Sequence, residues 1–266
     1  MEQQQKQKFM RKDPAIAENM RRVEKKRSRR KAAFVLLFIA VALVFLAVCF
    51  FVFLKVKSVE IVGNEKYSYD EIRALIPVKE GDNIYSFDTE EIKAEILRTL
   101  PYVGKVEIKR DLPKTLVVTV EEEKPYFATD LAGDAYILSS DLKVLEKRPK
   151  TAAKQVGITV LSLNSVRRCV VGETIEFVDG RTADAISEIY KELEYNYIAD
   201  KIVSLDVRSR FDIYFNYENR FKVYFGDMEK ADIKVRFLVG IIDELYPDST
   251  GTIDISDSNE AAVALY

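Results

Sequence analysis

Apolar positions follow different rhythms along this chain. From Ala32 to Leu54 they run for 23 residues without a charge, and at 1.5 Å per residue a helix of that length covers about 34 Å, enough to cross a hydrocarbon core. Downstream the pattern alternates between periods. Val59 and Ile61 alternate with Ser58 and Glu60 as in a half-buried strand that ends at Gly63-Asn64. Ser68-Tyr69-Asp70-Glu71 has the form of a capping box, followed by a short helix burying Ile72, Leu75 and Ile76. Asp88 and Glu91 repeat that logic ahead of Ile92, Ile96 and Leu100, which recur every four residues. Val106 and Ile108, then Leu116, Val118 and Val120, mark two further strands around the turn Asp111-Leu112-Pro113-Lys114.

After Pro125 short strands dominate. Tyr126 to Thr129 and Ala135 to Leu138 read as a hairpin around Asp130 to Asp134, with Val144-Leu145 beyond a second turn. A helix from Arg181 places Ile186, Ile189, Tyr190 and Leu193 on one face. Three alternating sets follow: Val203, Leu205 and Val207; Phe211, Ile213, Phe215 and Tyr217; and Phe221, Val223 and Phe225. The aromatic row is read as sheet core rather than a ligand platform. A last helix, Met228 to Leu245, is expected to bury Ile233, Phe237, Ile241 and Leu245 before Pro247. The final strand is Thr252-Ile253-Asp254-Ile255-Ser256.

Charge divides the chain in two. Of its 41 basic and 43 acidic residues, 12 and 4 fall in the first 31, which gives that segment +8 and leaves −10 for the remainder. An acidic outer region repels nucleic acid, so no nucleic-acid partner is expected. The basic flank from Arg21 to Lys31 predicts, by the positive-inside rule, a cytoplasmic amino terminus with everything after Lys55 outside, and it suits anionic headgroups. A cleaved signal peptide fits poorly, because Phe50 to Phe53 stay bulky to the end of the run. A lipoprotein box at Leu46-Ala47-Val48-Cys49 fits no better. Met1 to Met20 are expected to be disordered or loosely helical.

The composition removes much chemistry. The chain has no His and two Cys, so it can build neither an imidazole base nor a His-ligated metal site. A disulfide between Cys49 and Cys169 would have to join the membrane run to the outer region. GxGxxG, GxxxxGK[ST] and GxSxG motifs are absent. Asp248, Asp254, Asp257 and Glu260 lack an EF-hand-like spacing and read as a solvated acidic stretch rather than a calcium site. No catalytic residue, cofactor or metal is expected.

Strand, helix, helix, strand, strand in about 70 residues after one apolar span resembles a POTRA domain, and the whole chain resembles the FtsQ/DivIB family of bacterial cell-division proteins. The likeness is carried by Val59-Glu60-Ile61-Val62-Gly63-Asn64, by Gly81-Asp82-Asn83-Ile84 and by Leu100-Pro101-Tyr102-Val103. Above all it is carried by Arg110-Asp111-Leu112-Pro113-Lys114-Thr115-Leu116, running into Val118, Val120, Glu121 and Pro125. Glu122-Glu123-Lys124 stands where the family usually has an Arg. The resemblance implies an α+β chain with a basic cytoplasmic tail (1–31), a transmembrane helix (32–54), a POTRA domain of βααββ order (56–124), a larger β domain with two flanking helices (125–258) and a C-terminal tail (259–266).

It also implies a non-enzymatic, single-pass divisome scaffold at the septum. Such a scaffold binds FtsB/DivIC-like and FtsL-like proteins and helps to regulate septal peptidoglycan synthesis. A POTRA-bearing accessory or chaperone for exported proteins is the alternative. By position, the partner strand would add at Thr252, Ile253, Asp254, Ile255 and Ser256 through backbone hydrogen bonds. Ser256 stands where family members often have an Arg.

Overall fold

The computed structural model describes residues 14–149 and 157–266. Helix α1, Pro14–Phe53, spans 40 described residues. Its stretch Lys25–Phe50 is the one helix among the described residues long and apolar enough to cross a membrane. The basic cluster expected to precede the span is therefore helical too. Met1 to Asp13, most of the segment read as disordered or loosely helical, lie outside the described residues.

Beyond α1 come β1 (Ser58–Val62), α2 (Tyr69–Ala74), α3 (Thr89–Thr99), β2 (Val103–Asp111) and β3 (Thr115–Glu122), with the strands in the order β1-β3-β2. This is the expected POTRA arrangement. The capping box forms as read: Ser68 Oγ accepts from the Glu71 amide, and the Glu71 carboxylate accepts from the Ser68 amide at 2.8 Å. The Ser68 amide and the Ser68 hydroxyl, which also donates to the carboxylate at 2.7 Å, hold the Glu71 carboxyl below its usual range. Asp88 caps α3 through the Glu90 amide. Ile72, Ile76, Ile92, Ile96, Leu100, Leu116, Val118 and Val120 are all buried. Gly63, at φ +88°, is required where it stands, because a Cβ there would overlap the Val120 carbonyl.

The β-rich region contains β4 (Phe127–Leu131), β5 (Asp134–Leu138), β6 (Val144–Pro149), β7 (Thr159–Ser162), β8 (Val166–Arg168), β9 (Glu176–Phe177) and α4 (Arg181–Tyr195). These are followed by β10 (Ile202–Asp206), β11 (Ile213–Tyr217), β12 (Phe221–Gly226), α5 (Ala231–Glu244), β13 (Gly251–Asp254) and β14 (Ala262–Leu265). Nine strands make one sheet in the order β14-β13-β12-β11-β10-β7-β4-β5-β6, and β8 pairs with β9 apart from it. One core joins the inward residues of these strands to Ile186, Ile189 and Leu193 of α4 and to Val235 and Leu238 of α5. Tyr190 completes the expected α4 face with its ring 4.3 Å, centroid to centroid, from that of Tyr126.

Contacts divide the chain into two compact units. One holds the described residues up to Val59 with Val78–Phe87 and Arg110–Leu116; the other holds Glu60–Pro77, Asp88–Lys109 and Val117–Tyr266.

Leu75, expected in the core, caps the end of α2 and is only partly buried, and three placements in the β-rich region also differ from the sequence reading. Phe211 is 62% exposed and precedes its strand, with Arg210 packed on its ring at 4.0 Å, while Ile213, Phe215 and Tyr217 enter the core as expected. In β10 a register shift between Ile202 and Ser204 lets Ile202, Leu205 and Val207 point inward and leaves Val203 half-buried. Helix α5 is rotated relative to the expected stripe. It buries Ala231, Lys234, Val235 and Leu238, whereas Ile233, Phe237, Ile241 and Leu245 are only partly buried. Lys234 fits inside because its ammonium reaches Asp227 Oδ1 and the Asp227 carbonyl, each at 3.0 Å.

Candidate protein-interaction edge

The five residues singled out for strand addition lie on and just beyond β13. Ile253 and Ile255 are buried at 1% and 0% exposure, and Thr252 and Asp254 point to the opposite, solvent-facing side. Such alternation fixes the strand by its apolar pair and leaves its polar pair free to vary. Strand β13 runs parallel to β12, with Val223 opposite Ile253 and Tyr224 opposite Asp254. The Ile255 amide continues that ladder to the Tyr224 carbonyl at 2.9 Å. Ser256 donates to Asp254 Oδ1 from both its amide (2.9 Å) and its hydroxyl (2.7 Å), a local turn that ends the strand. The two polar residues of the expected motif therefore satisfy each other.

The other edge of β13 is occupied by β14, part of the segment read from the sequence as a tail. It pairs antiparallel, Gly251 with Leu265, Thr252 with Ala264, Ile253 with Val263 and Asp254 with Ala262. All four β14 side chains are exposed. The strand is held by its backbone ladder and by Thr250, whose hydroxyl donates to the Tyr266 carbonyl at 2.8 Å. Gly251 permits the approach, since a Cβ there would overlap the Ala264 carbonyl. The outermost strand of the sheet among the described residues is thus Ala262-Val263-Ala264-Leu265, a cover over β13 held by backbone bonds and not by buried side chains. The β14 strand was missed because four small or apolar residues after an acidic turn carry no periodic signal of their own.

On the solvent face beside this edge, Tyr214 and Tyr224 stack at 4.7 Å with an interplanar angle of 25°, and the Lys222 ammonium lies 4.9 Å from the Tyr214 ring centre. Asp212 raises the Tyr224 phenol through a hydrogen bond; desolvation, then Asp212, raises that of Tyr214. A shallow cavity of about 310 Å³ runs from these rings across Thr252 and Asp254 to Ala262 and Ala264. Its chemistry is that of a binding surface, made of aromatic faces, one cation and open backbone.

Among the described residues no group of three or more His, Cys, Asp or Glu is placed to hold a metal ion. Asp257 is engaged by Asn259 and Asp254 by Ser256. Both cysteines are free, and burial pushes the Cys169 thiol up to about 11.

A βααββ unit directly after one membrane-compatible helix, joined to a nine-stranded sheet with an open edge, defines a POTRA-bearing protein of the single-span class. Residues 54–123 match the family described as POTRA domain, FtsQ-type. The chain is 26% identical over 251 residues to cell division protein DivIB of Clostridium botulinum strain Hall, covering 93% of this chain and 96% of that one. It is 27% identical over 175 residues to DivIB of Bacillus subtilis strain 168, covering 63% of each. It is also 30% identical over 80 residues to cell division protein FtsQ of Anaeromyxobacter sp. strain K, covering 30% of this chain and 27% of that one. The chain thus carries an FtsQ-type POTRA domain and is similar over most of its length to proteins named for cell division.

Proposed function

We propose that this chain is a bitopic scaffold of the bacterial divisome, without enzymatic activity. Its amino terminus lies in the cytoplasm, its POTRA (56–124) and β (125–258) domains lie outside, and it works at the septum. The basic flank of α1 supports the orientation by the positive-inside rule. The outer domains bind FtsB/DivIC-like and FtsL-like single-span proteins and thereby help to regulate septal peptidoglycan synthesis. Anchoring every partner in one bilayer raises their effective concentration, so modest strand-addition contacts suffice to assemble the complex.

The observation that carries this reading is the β13–β14 edge. A strand that buries none of its side chains covers Thr252 to Asp254, and a partner strand of better complementarity replaces it at little cost. Thr252, Ile253, Asp254, Ile255 and Ser256 then become the partner-binding strand. The test is in-cell photocrosslinking from position 254 with mass spectrometry of the captured protein. A small single-span division protein with a coiled-coil outer segment is the expected product, and capture of many unrelated exported chains would overturn the scaffold in favour of a chaperone.

A further inference from the structure

The last turn of α1 is not joined to the outer region by a free linker. The Leu54 carbonyl accepts from the Ile84 amide at 2.8 Å, the Val56 amide donates to the Asp82 carbonyl at 2.8 Å, and the Gly81 amide donates back to the Val56 carbonyl at 2.9 Å. Lys55 and Asn83 form a bridge. Asn83 then reaches past the end of the helix. Its side-chain amide donates to the Phe50 carbonyl at 2.9 Å, and the neighbouring Tyr85 ring stacks on that of Phe50 at 5.9 Å and 21°. Arg110 locks the same loop from the other side, donating to the Ile84 carbonyl at 2.8 Å and the Phe87 carbonyl at 3.3 Å, with its guanidinium 5.2 Å from the Tyr85 ring centre. All of these residues belong to one compact unit.

Depth follows from helix geometry. The uncharged run ends at Leu54, and Phe50 lies four residues before it, about 6 Å deeper along the axis. A 23-residue run exceeds a hydrocarbon core of about 30 Å by only about 4 Å in total, which puts Phe50 about 2–6 Å inside the edge of the acyl chains, next to the headgroups. A tyrosine stacked on it stands at the same level. Tyr85 is 47% exposed and Leu112, two residues beyond Arg110, is 52% exposed. At that depth the half-exposed Tyr85 ring meets lipid rather than bulk water, the environment in which tyrosine belts are enriched, and the turn that carries Leu112 is tied to the residues just after the span by the Lys57 amide, which donates to the Lys114 carbonyl at 2.8 Å.

We infer that the loop Val78–Phe87 and the turn after Arg110 form a collar seated in the lipid headgroup layer. Asn83 and Tyr85 latch it to the membrane helix, and Tyr85 and Leu112 are its anchors. The collar fixes the height of Lys55 to Val59 above the bilayer. The anchors are apolar, so the seating persists at high salt, unlike that of a polybasic contact.

The inference rests on α1 spanning a bilayer, and the experiment separates the two. Full-length protein with Cys49→Ala and Cys169→Ser is reconstituted in vesicles of three parts phosphatidylcholine to one part phosphatidylglycerol, and spin-labelled singly through Leu43→Cys, Ser86→Cys, Leu112→Cys or Tyr197→Cys. Collision with oxygen is then compared with collision with a polar nickel complex. Leu43 reports the span, and Tyr197, 89% exposed, is the aqueous reference. The ratio of oxygen to nickel collisions at Ser86 and Leu112 is expected to exceed that at Tyr197 several-fold in low and high salt, and to fall towards it in Asn83→Ala/Tyr85→Ala. A label at either position as aqueous as Tyr197, with Leu43 buried in lipid, overturns the collar. An unchanged ratio in the double variant overturns the latch. An aqueous Leu43 overturns the membrane span itself.

Discussion

The Tyr102 hydroxyl donates a 2.9 Å hydrogen bond to Glu146 Oε2, tying the turn before β2 to strand β6, 44 residues away in sequence. Arg148 holds the same carboxylate from its own strand at 2.7 and 2.9 Å, and the Lys66 ammonium lies 4.0 Å from the Tyr102 ring centre. Lys143 adds a second tie, donating to the Val103 carbonyl at 2.7 Å. The POTRA strand and the large sheet are thereby coupled by charge-assisted bonds around one tyrosine. Tyr102→Phe keeps the ring and removes the donor, and it is expected to cost about 1 kcal/mol and lower Tm by about 2–4 °C. Tyr102→Ala also removes a buried ring, so calorimetry should show a clearly larger loss. Equal losses in the two variants would contradict the assignment.

Glu122 accepts from three successive backbone amides, those of Glu65, Lys66 and Tyr67, at 3.1, 2.6 and 3.1 Å. One carboxylate thus closes the loop between β1 and α2. The position calls for an acceptor, because a cation cannot accept these bonds. Glu122→Arg is expected to be more destabilising than Glu122→Gln, with urea unfolding showing about 2 kcal/mol for the former. A neutral effect of Glu122→Arg would show that the loop closes by other means.

Lys234 is 1% exposed at its side chain while its partner Asp227 is 48% exposed. Removing the carboxylate strands a buried ammonium on one backbone carbonyl, whereas Lys234→Met keeps the buried stem and leaves Asp227 to solvent. Asp227→Ala is accordingly expected to cost more than Lys234→Met by about 1–2 kcal/mol in chemical denaturation. The reverse order would contradict the account.

How much could be read from the sequence follows from such cases. Capping boxes, strand alternation and the apolar run depend on neighbours in the chain, so Ser68, Leu116, Ile186 and Ile253 were placed correctly by spacing alone. Helix α5 was not, because Ile233, Phe237 and Ile241 form as good a stripe as Val235 and Leu238, and only the Asp227–Lys234 contact selects the phase. The Glu122 bonds depend on partners 55 to 57 residues away, which no local pattern reports, and strand β14 has no periodic signal of its own. Of the candidate site, the β13 strand was legible, but its cover was not.

Stability should fall in acid. Arg148 holds the Glu146 carboxyl, and Lys234 the Asp227 carboxyl, below their usual ranges. A depressed folded pKa stabilises the fold above the unfolded value, near pH 4, and that contribution is lost as pH falls through the folded value. Burial raises Glu123, so its protonation opposes the loss in part. Urea midpoints are expected to be flat from pH 7 to about 5 and to drop below about 4, less steeply in Glu146→Gln. A midpoint unchanged at pH 3 would contradict these assignments.

The central claim is that a partner strand takes the place of β14 against Thr252–Asp254. The most direct measurement is backbone amide exchange on the full chain in nanodiscs, with and without the outer segment of the proposed DivIC-like partner, alongside a variant lacking residues 259–266. The account predicts that partner binding keeps Thr252 to Asp254 protected and deprotects Ala262 to Leu265, and that the shortened variant binds several-fold more tightly. Increased protection of Ala262 to Leu265, or weaker binding by the shortened variant, would contradict it.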